Sequence, residues 1–355
     1  MEGTVLRYGV PYMGSKNSIA PWVISHLPPA TTLYDLFCGG CAITHAALLS
    51  GKWRKVVAND LDGDMPRFFL HCANGGMRGE NRWISREDFH RLKDEDIYVR
   101  IAWSFGSDQR TYLYGEDLEP WKKALFRALV FRDYSLTDEF CPAFKEAVDD
   151  ESFAKRYKKT LSRATTSILV PEARVMKFTP KGKDDTMVAP AWAINKFLKQ
   201  PTEGDKMDEL RNTKTLQRVD NLQRLDRLQN LEKLKPRLGM LSVSSMSYDE
   251  VPIPDPANSV IYCDPPYFST EQKQYRKLGE AGFDYERFYD FCGRQEALTV
   301  ISEFDMPLDR FALVAERERM TGAAGIGAVT SVERLFVPIH QRNEYYQRMG
   351  RLQLF

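Results

Sequence analysis

The sequence predicts an α/β protein whose single sheet is assembled from the two ends of the chain and split by a long, mostly helical insert. Three observations carry this. The first ~70 residues run strand, Gly turn, helix, strand, and the last ~115 hold several short buried-strand patterns. The stretch between them, 71–237, is more charged and mostly helical in pattern.

The elements follow in order. An amphipathic helix is expected around Ile19 to Leu27, after the turn Tyr12-Met-Gly-Ser-Lys16. The apolar run Thr32 to Cys38 reads as a strand ending in Gly39-Gly40. A helix is expected from Ala42 to about Ser50, then a second strand, Lys55 to Asp60, completing a βαβ unit. Toward the other end, Ser259 to Cys263 is a short buried-strand pattern closed by Asp-Pro-Pro. Ala297–Ser302, Arg310–Ala315 and Val332–Val337 are three more strand candidates.

Within the insert, Leu216, Val219, Leu222, Leu225, Leu228, Leu231 and Leu234 recur at every third position. On an ideal α-helix that spacing drifts by about 60° per step. The segment is therefore a helix covered on several sides or an extended, solenoid-like stretch, and the pattern leaves both open. Arg218, Arg224 and Arg227 fall on the polar positions, as a solvated face or a phosphate contact.

Composition excludes several classes. With 43% hydrophobic and 28% charged residues, the chain fits a globular protein. No run reaches the ~18 apolar residues of a membrane span, and the N-terminal residues lack a secretory pattern. A cytoplasmic protein is expected. Six cysteines are too few for a disulfide scaffold in a chain of 355 residues. Cys38-Gly-Gly-Cys41 is the one CxxC and has no second pair, so a zinc or redox role is not expected, and no metal is expected elsewhere. Residues 151–237 hold 20 Lys/Arg against 11 Asp/Glu, a net of +9, so the remainder carries −8 of the total +1. A basic segment in an otherwise acidic chain is either a polyanion contact or a solvated helical face. Lys155, Arg156, Lys158, Lys159, Arg163, Lys177, Lys181 and Lys183 are its candidate phosphate contacts.

Chemistry concentrates in three motifs. Asp264-Pro265-Pro266-Tyr267 follows a strand directly. Two prolines fix φ and remove two N–H groups, so the turn is rigid. It presents a carboxylate, carbonyl oxygens and an aromatic ring at the carboxyl end of a strand, where open α/β sheets bind ligands. The carboxylate and a proline carbonyl suit a planar –NH2 donor, and the ring can stack on a base. Asp35-Leu-Phe-Cys-Gly-Gly40 is a Gly turn that lets a cofactor approach the backbone. Asp60, about 20 positions on, is suited to holding a ribose diol. Lys16 reads as a phosphate or carboxylate contact or as part of a surface turn.

YMGSK, LYDLFCGG, VVANDL, a long insert and VIYCDPPY, in that order, resemble the DNA adenine-N6 methyltransferases of the Dam type, phage-borne members above all. The likeness covers about 6–65 and 240–340. It implies a class I, Rossmann-like methyltransferase sheet, with 1–70 and 238–355 as catalytic domain and 71–237 as an inserted target-recognition region. It implies that Tyr12, Lys16, Asp35, Phe37, Cys38, Gly39, Gly40 and Asp60 bind S-adenosylmethionine, with Met246 and Ser247 at the strand end beside its adenine. It implies further that Asp264, Pro265, Pro266 and Tyr267 grip a flipped adenine of double-stranded DNA, in a modification enzyme of the bacterial cytoplasm, host- or phage-encoded. Cys41 stands where members often carry a third glycine. Residues 100–190 hold no counterpart to the pattern that reads GATC.

The residues agree with that chemistry. The N6 lone pair is delocalised into the ring, and accepting both N–H bonds favours a tetrahedral, more nucleophilic nitrogen. Positioning and electrostatics suffice, and no catalytic cysteine is needed. A base inside a duplex is out of reach, so it must flip. Readings left open are an amino-group methyltransferase on cytosine N4, RNA or a protein amide, and a non-catalytic DNA-binding protein of the same fold. The recognition sequence, the oligomeric state and any partner nuclease are not legible.

Overall fold

The structure, a computed structural model, describes residues 7–136 apart from 117 and 134, then 219–267, 282–321 and 329–350. The eight basic residues Lys155, Arg156, Lys158, Lys159, Arg163, Lys177, Lys181 and Lys183, and Arg218, lie outside the described residues.

Seven strands form one mixed sheet: β1 (Thr32–Asp35), β2 (Lys55–Asn59), β3 (Leu241–Ser244), β4 (Ser259–Cys263), β5 (Leu298–Glu303), β6 (Phe311–Thr321) and β7 (Val329–Pro338). Their order is β3-β2-β1-β4-β5-β7-β6, parallel from β3 to β5, with β7 antiparallel to both neighbours. This is the sheet of a class I methyltransferase. The N-terminal and C-terminal parts meet at β1 and β4, where Leu33 lies opposite Val260. The strand order reverses there, which leaves a crevice beyond their carboxyl ends.

Both faces of the sheet are buried, as a parallel sheet requires. Successive strand residues point to opposite faces. Leu33, Val56, Ala58, Val260 and Tyr262 enter one core with helices α1 (Ala20–His26), α2 (Ala42–Ser50) and α3 (Asp64–Ala73). Tyr34, Val57, Ile261 and Cys263 enter the other, under Phe288, Phe291 and Cys292 of a helix spanning Tyr285–Arg294.

The described parts of 71–237 share the first core. They include α4 (Arg86–Leu92), α5 (Ile97–Ala102) and α7 (Asp220–Asn230), while α6 (Glu119–Phe131) packs its Phe126 against Trp103 of that core. Leu216 lies outside the described residues, and the rest of the three-residue spacing runs from α7 across its end. After α7 the chain continues as a 3-10 helix, Leu231–Met240, in which i and i+3 stand in line. Leu225, Leu228, Leu231 and Leu234 are all buried across this join.

Arg224 and Arg227 correct the expectation of a solvated face or phosphate contact. Arg224 donates to the carbonyls of Ala102 at 3.1 Å and Ser104 at 2.6 Å, closing the end of α5. Arg227 donates to the carbonyls of Tyr8, Gly9 and Val10. Each stem is long enough to cross from the helix to backbone carbonyls of another segment.

Candidate active site

The Gly turn is fixed by the strand ends around it. β1 stops at Asp35 rather than Cys38, because the Leu36 N–H bonds to Tyr262 at 3.0 Å and the Cys38 N–H crosses to Asn59 at 2.9 Å. Asn59, buried at the end of β2, uses its whole amide. It donates to the carbonyls of Leu36 and Met246 and accepts from Ser244 Oγ and the Met246 N–H. Three strand ends are thereby stitched together. Asp60 follows, with Oδ2 accepting the Gly39 N–H and Oδ1 the Asp62 N–H, each at 2.8 Å.

A strap from residue 8 to Lys16 lies over this turn. The Val10 N–H donates to the Gly40 carbonyl at 2.8 Å. The approach is so close that a Cβ on Gly9, whose φ is +68°, would stand 2.1 Å from that carbonyl. A Cβ on Gly40 would stand 2.6 Å from the Tyr12 Cβ. Only glycine fits at either place. His45 of α2 accepts the Gly9 N–H at 2.9 Å through Nδ1. Burial pushes its imidazole down to about 4, so it stays neutral and able to accept.

The strap ends in a 3-10 turn, Lys16–Ser18, capped by Ser15. Lys16 is not part of a surface turn: it is 6% exposed. Its ammonium lies 2.9 Å from Asp264 Oδ1, 3.4 Å from Glu333 Oε1 and 4.2 Å from the centre of the Tyr267 ring. It also donates to the Tyr267 hydroxyl, which in turn donates to Glu333. Ser302 Oγ donates to the same Glu333 oxygen at 2.6 Å. The edge of Phe304 packs on the Tyr267 ring at 4.4 Å. The Asp-Pro-Pro-Tyr turn is thus tied to the strap on one side and to β5 and β7 on the other. Burial lifts Asp264 to about 6, Lys16 opposing and Glu333 adding to the rise. The carbonyl of Pro266 already accepts from the Tyr285 hydroxyl at 2.6 Å.

These groups surround a cavity of about 470 Å³ at the carboxyl ends of β1 and β4. Its volume is that of a small-molecule or cofactor site. Every residue expected from the sequence at the cofactor and the base lines it: Tyr12, Lys16, Asp35, Phe37, Cys38, Gly39, Gly40, Asp60, Met246, Ser247, Asp264, Pro265, Pro266 and Tyr267. Phe37 stacks on Tyr248 at 5.2 Å and meets the edge of Phe283, making an aromatic wall. Asp35 is fully buried, with Oδ2 bonded to the Thr44 N–H and hydroxyl and Oδ1 without a partner. Burial raises its carboxyl to about 7. Cys38 and Cys41 are free, buried thiols 3.7 Å apart, and burial pushes both up, so neither is a ready nucleophile.

Glu333 and Phe304 carry no signal in the sequence. Glu333 sits in an alternating strand with no motif around it, and only the antiparallel pairing of β7 with β5 brings it to Ser302 and Tyr267. Asn59 was visible beside Asp60, but its four bonds reach partners far away in the chain. Among the described residues, no cluster of His, Cys, Asp and Glu could hold a metal ion, and no helix is long and apolar enough to cross a membrane.

Residues 12–114 match the family model of the D12 class N6 adenine-specific DNA methyltransferase, under a third of the chain. No curated protein matches the chain. The matched span carries the strap, the Gly turn and Asp60, and the fold brings the Asp-Pro-Pro-Tyr turn from outside that span to the same cavity. The match selects adenine N6 in DNA over the cytosine, RNA, protein-amide and non-catalytic readings. Over that span the chain is similar to the D12 class of N6 adenine-specific DNA methyltransferases, and it is an enzyme that methylates adenine in DNA.

Proposed function

We propose that the cavity holds S-adenosylmethionine on the β1–β2 side and a flipped adenine on the β4 side. The unpartnered, buried Oδ1 of Asp35 carries this reading, because a carboxylate oxygen kept from water with no donor calls for a cationic partner. The cofactor's α-ammonium is such a group. Asp60 offers lone pairs to a ribose diol, and the wall of Phe37, Tyr248 and Phe283, with Met246 and Ser247 beside it, suits a purine ring. When bound, the cofactor supplies an activated methyl group.

The chain's own residues prepare the acceptor. Asp264 accepts one N–H of the adenine amino group. The second goes to the Pro265 carbonyl, since that of Pro266 is engaged by Tyr285. Both acceptors are held on a rigid turn, so little is lost in ordering them. Tyr267 borders the base, and the duplex must release it for the base to arrive. The insert, 71–237, reads the target, and its basic residues contact phosphate. The likeness to phage-borne members supports a phage-encoded enzyme in a bacterial cytoplasm, with double-stranded DNA as partner.

Isothermal titration of S-adenosylmethionine into the wild type and Asp35→Asn, with digestion of treated DNA and chromatography for N6-methyladenine, tests the reading. Binding by the wild type and loss in the variant are expected. Equal binding by both would remove Asp35 from the cofactor site.

A further inference from the structure

We propose that Glu333 is a positioning residue for methyl transfer: its buried carboxylate holds Lys16 and the Tyr267 hydroxyl behind Asp264, leaving Asp264 available to the adenine amino group. This rests on the assignment of Asp264 to the base.

The side chain of Glu333 is 2% exposed, yet it borders the cavity. A carboxylate is stable there only if paired and hydrogen-bonded. Among the described residues its partners are Ser302 Oγ, the Tyr267 hydroxyl and the Lys16 ammonium. None is a backbone group in need of a cap, and two belong to the strap and the Asp-Pro-Pro-Tyr turn. Lys16 is shared between two carboxylates, at 2.9 Å from Asp264 and 3.4 Å from Glu333. A lysine given wholly to Asp264 would compete with the amino group for the same lone pairs. Glu333 draws part of that charge away.

The groups facing Asp264 are Lys16, Glu333, Tyr267, Tyr262, Asp35 and Cys263. Among the described residues only Lys16 is a cation there, so removing the charge of Glu333 leaves a one-to-one pair of Lys16 and Asp264. Asp264 then becomes the stronger acid, which agrees with the influence of Glu333 in lifting it.

The test is Glu333→Gln, which keeps the shape and removes the charge. Methyl transfer to adenine by the wild type is measured first, and its absence would refute the assignment of the site rather than the role of Glu333. With that activity in hand, E333Q is expected to lose roughly 10- to 100-fold in kcat. Its affinity for S-adenosylmethionine should be unchanged, and the acid limb of its pH profile should move to lower pH. Coupling gives a second readout: in a Lys16→Met background, E333Q should have little further effect on kcat. A purely structural residue would lower thermal stability and leave the limb where it is. Wild-type kcat with an unmoved limb overturns the proposal, as does full additivity with K16M. If E333Q does not fold, Glu333→Asp withdraws the carboxylate by one methylene. A fall in kcat at constant cofactor affinity then supports the role, and wild-type kcat refutes it.

Discussion

The ammonium of Lys16 lies 2.9 Å from Oδ1 of Asp264, joining the strap at the start of the chain to the Asp-Pro-Pro-Tyr turn after β4. Neither residue is more than partly exposed, and the pair closes the cavity on the side of β5 and β7.

Asp264→Ala should abolish methyl transfer and leave cofactor binding largely intact, because the proposed site assigns this carboxylate to the base and not to the cofactor. Burial lifts Asp264 to about 6, so it is protonated below that pH and loses acceptor capacity. At saturating cofactor, kcat/KM for DNA should therefore rise with pH through about 6 and then level. A profile flat from about pH 5 to about pH 7 would mean that the carboxylate is ionised throughout or not used.

Cofactor affinity should have its own pH dependence. Asp35, raised to about 7, must be ionised to receive an ammonium, so affinity should climb as pH rises toward 7. Above about pH 8 the cofactor's amino group itself loses its proton, and the gain should reverse. Calorimetry across this range, with Asp35→Asn as control, reads the effect. A wild-type curve parallel to that of the variant would argue against the pairing.

Asp60→Ala should weaken cofactor binding by about 1.5–3 kcal/mol, the cost of a charge-assisted hydrogen-bond pair. Part of that effect will come through the Gly39 N–H that Asp60 holds at 2.8 Å. Unchanged affinity in a titration would place the ribose elsewhere.

Tyr267 has two separable parts. Tyr267→Ala removes the ring and should weaken capture of the base by about 1–3 kcal/mol, as for stacking on an aromatic side chain. Tyr267→Phe keeps the ring and removes only the hydroxyl bonded to Lys16 and Glu333. It should be milder on KM for DNA than Ala. Equal effects in the two variants would show that the hydroxyl, not the ring, matters.

Replacing several of Lys155, Arg156, Lys158, Lys159, Arg163, Lys177, Lys181 and Lys183 with Gln should weaken binding to all DNA sequences alike. Each phosphate left without its cation should flatten the plot of log affinity against log salt by about 0.9. An unchanged slope would make these residues a solvated face and move the DNA onto other surfaces.

The sequence by itself determined the elements whose cause is local. Continuous short apolar runs specify β1, β2 and β4, since a parallel strand buried on both faces is apolar at nearly every position. Two prolines after a strand make a rigid turn wherever they occur, and Gly39-Gly40 marks a tight one. The residues lining the cavity were legible for that reason. The tertiary structure alone decided the rest. The direction of Lys16, the stitching by Asn59, the inward course of Arg224 and Arg227, and the presence of Glu333 each depend on partners distant in the chain. Long-range pairings leave no period in a sequence. A leucine every third residue could be read as a helix or an extended stretch until the join of α7 to a 3-10 helix set its geometry. A buried charge is likewise decided only when its partners arrive, and here one cation, Lys16, and two carboxylates, Asp264 and Glu333, come from three separate segments of the chain.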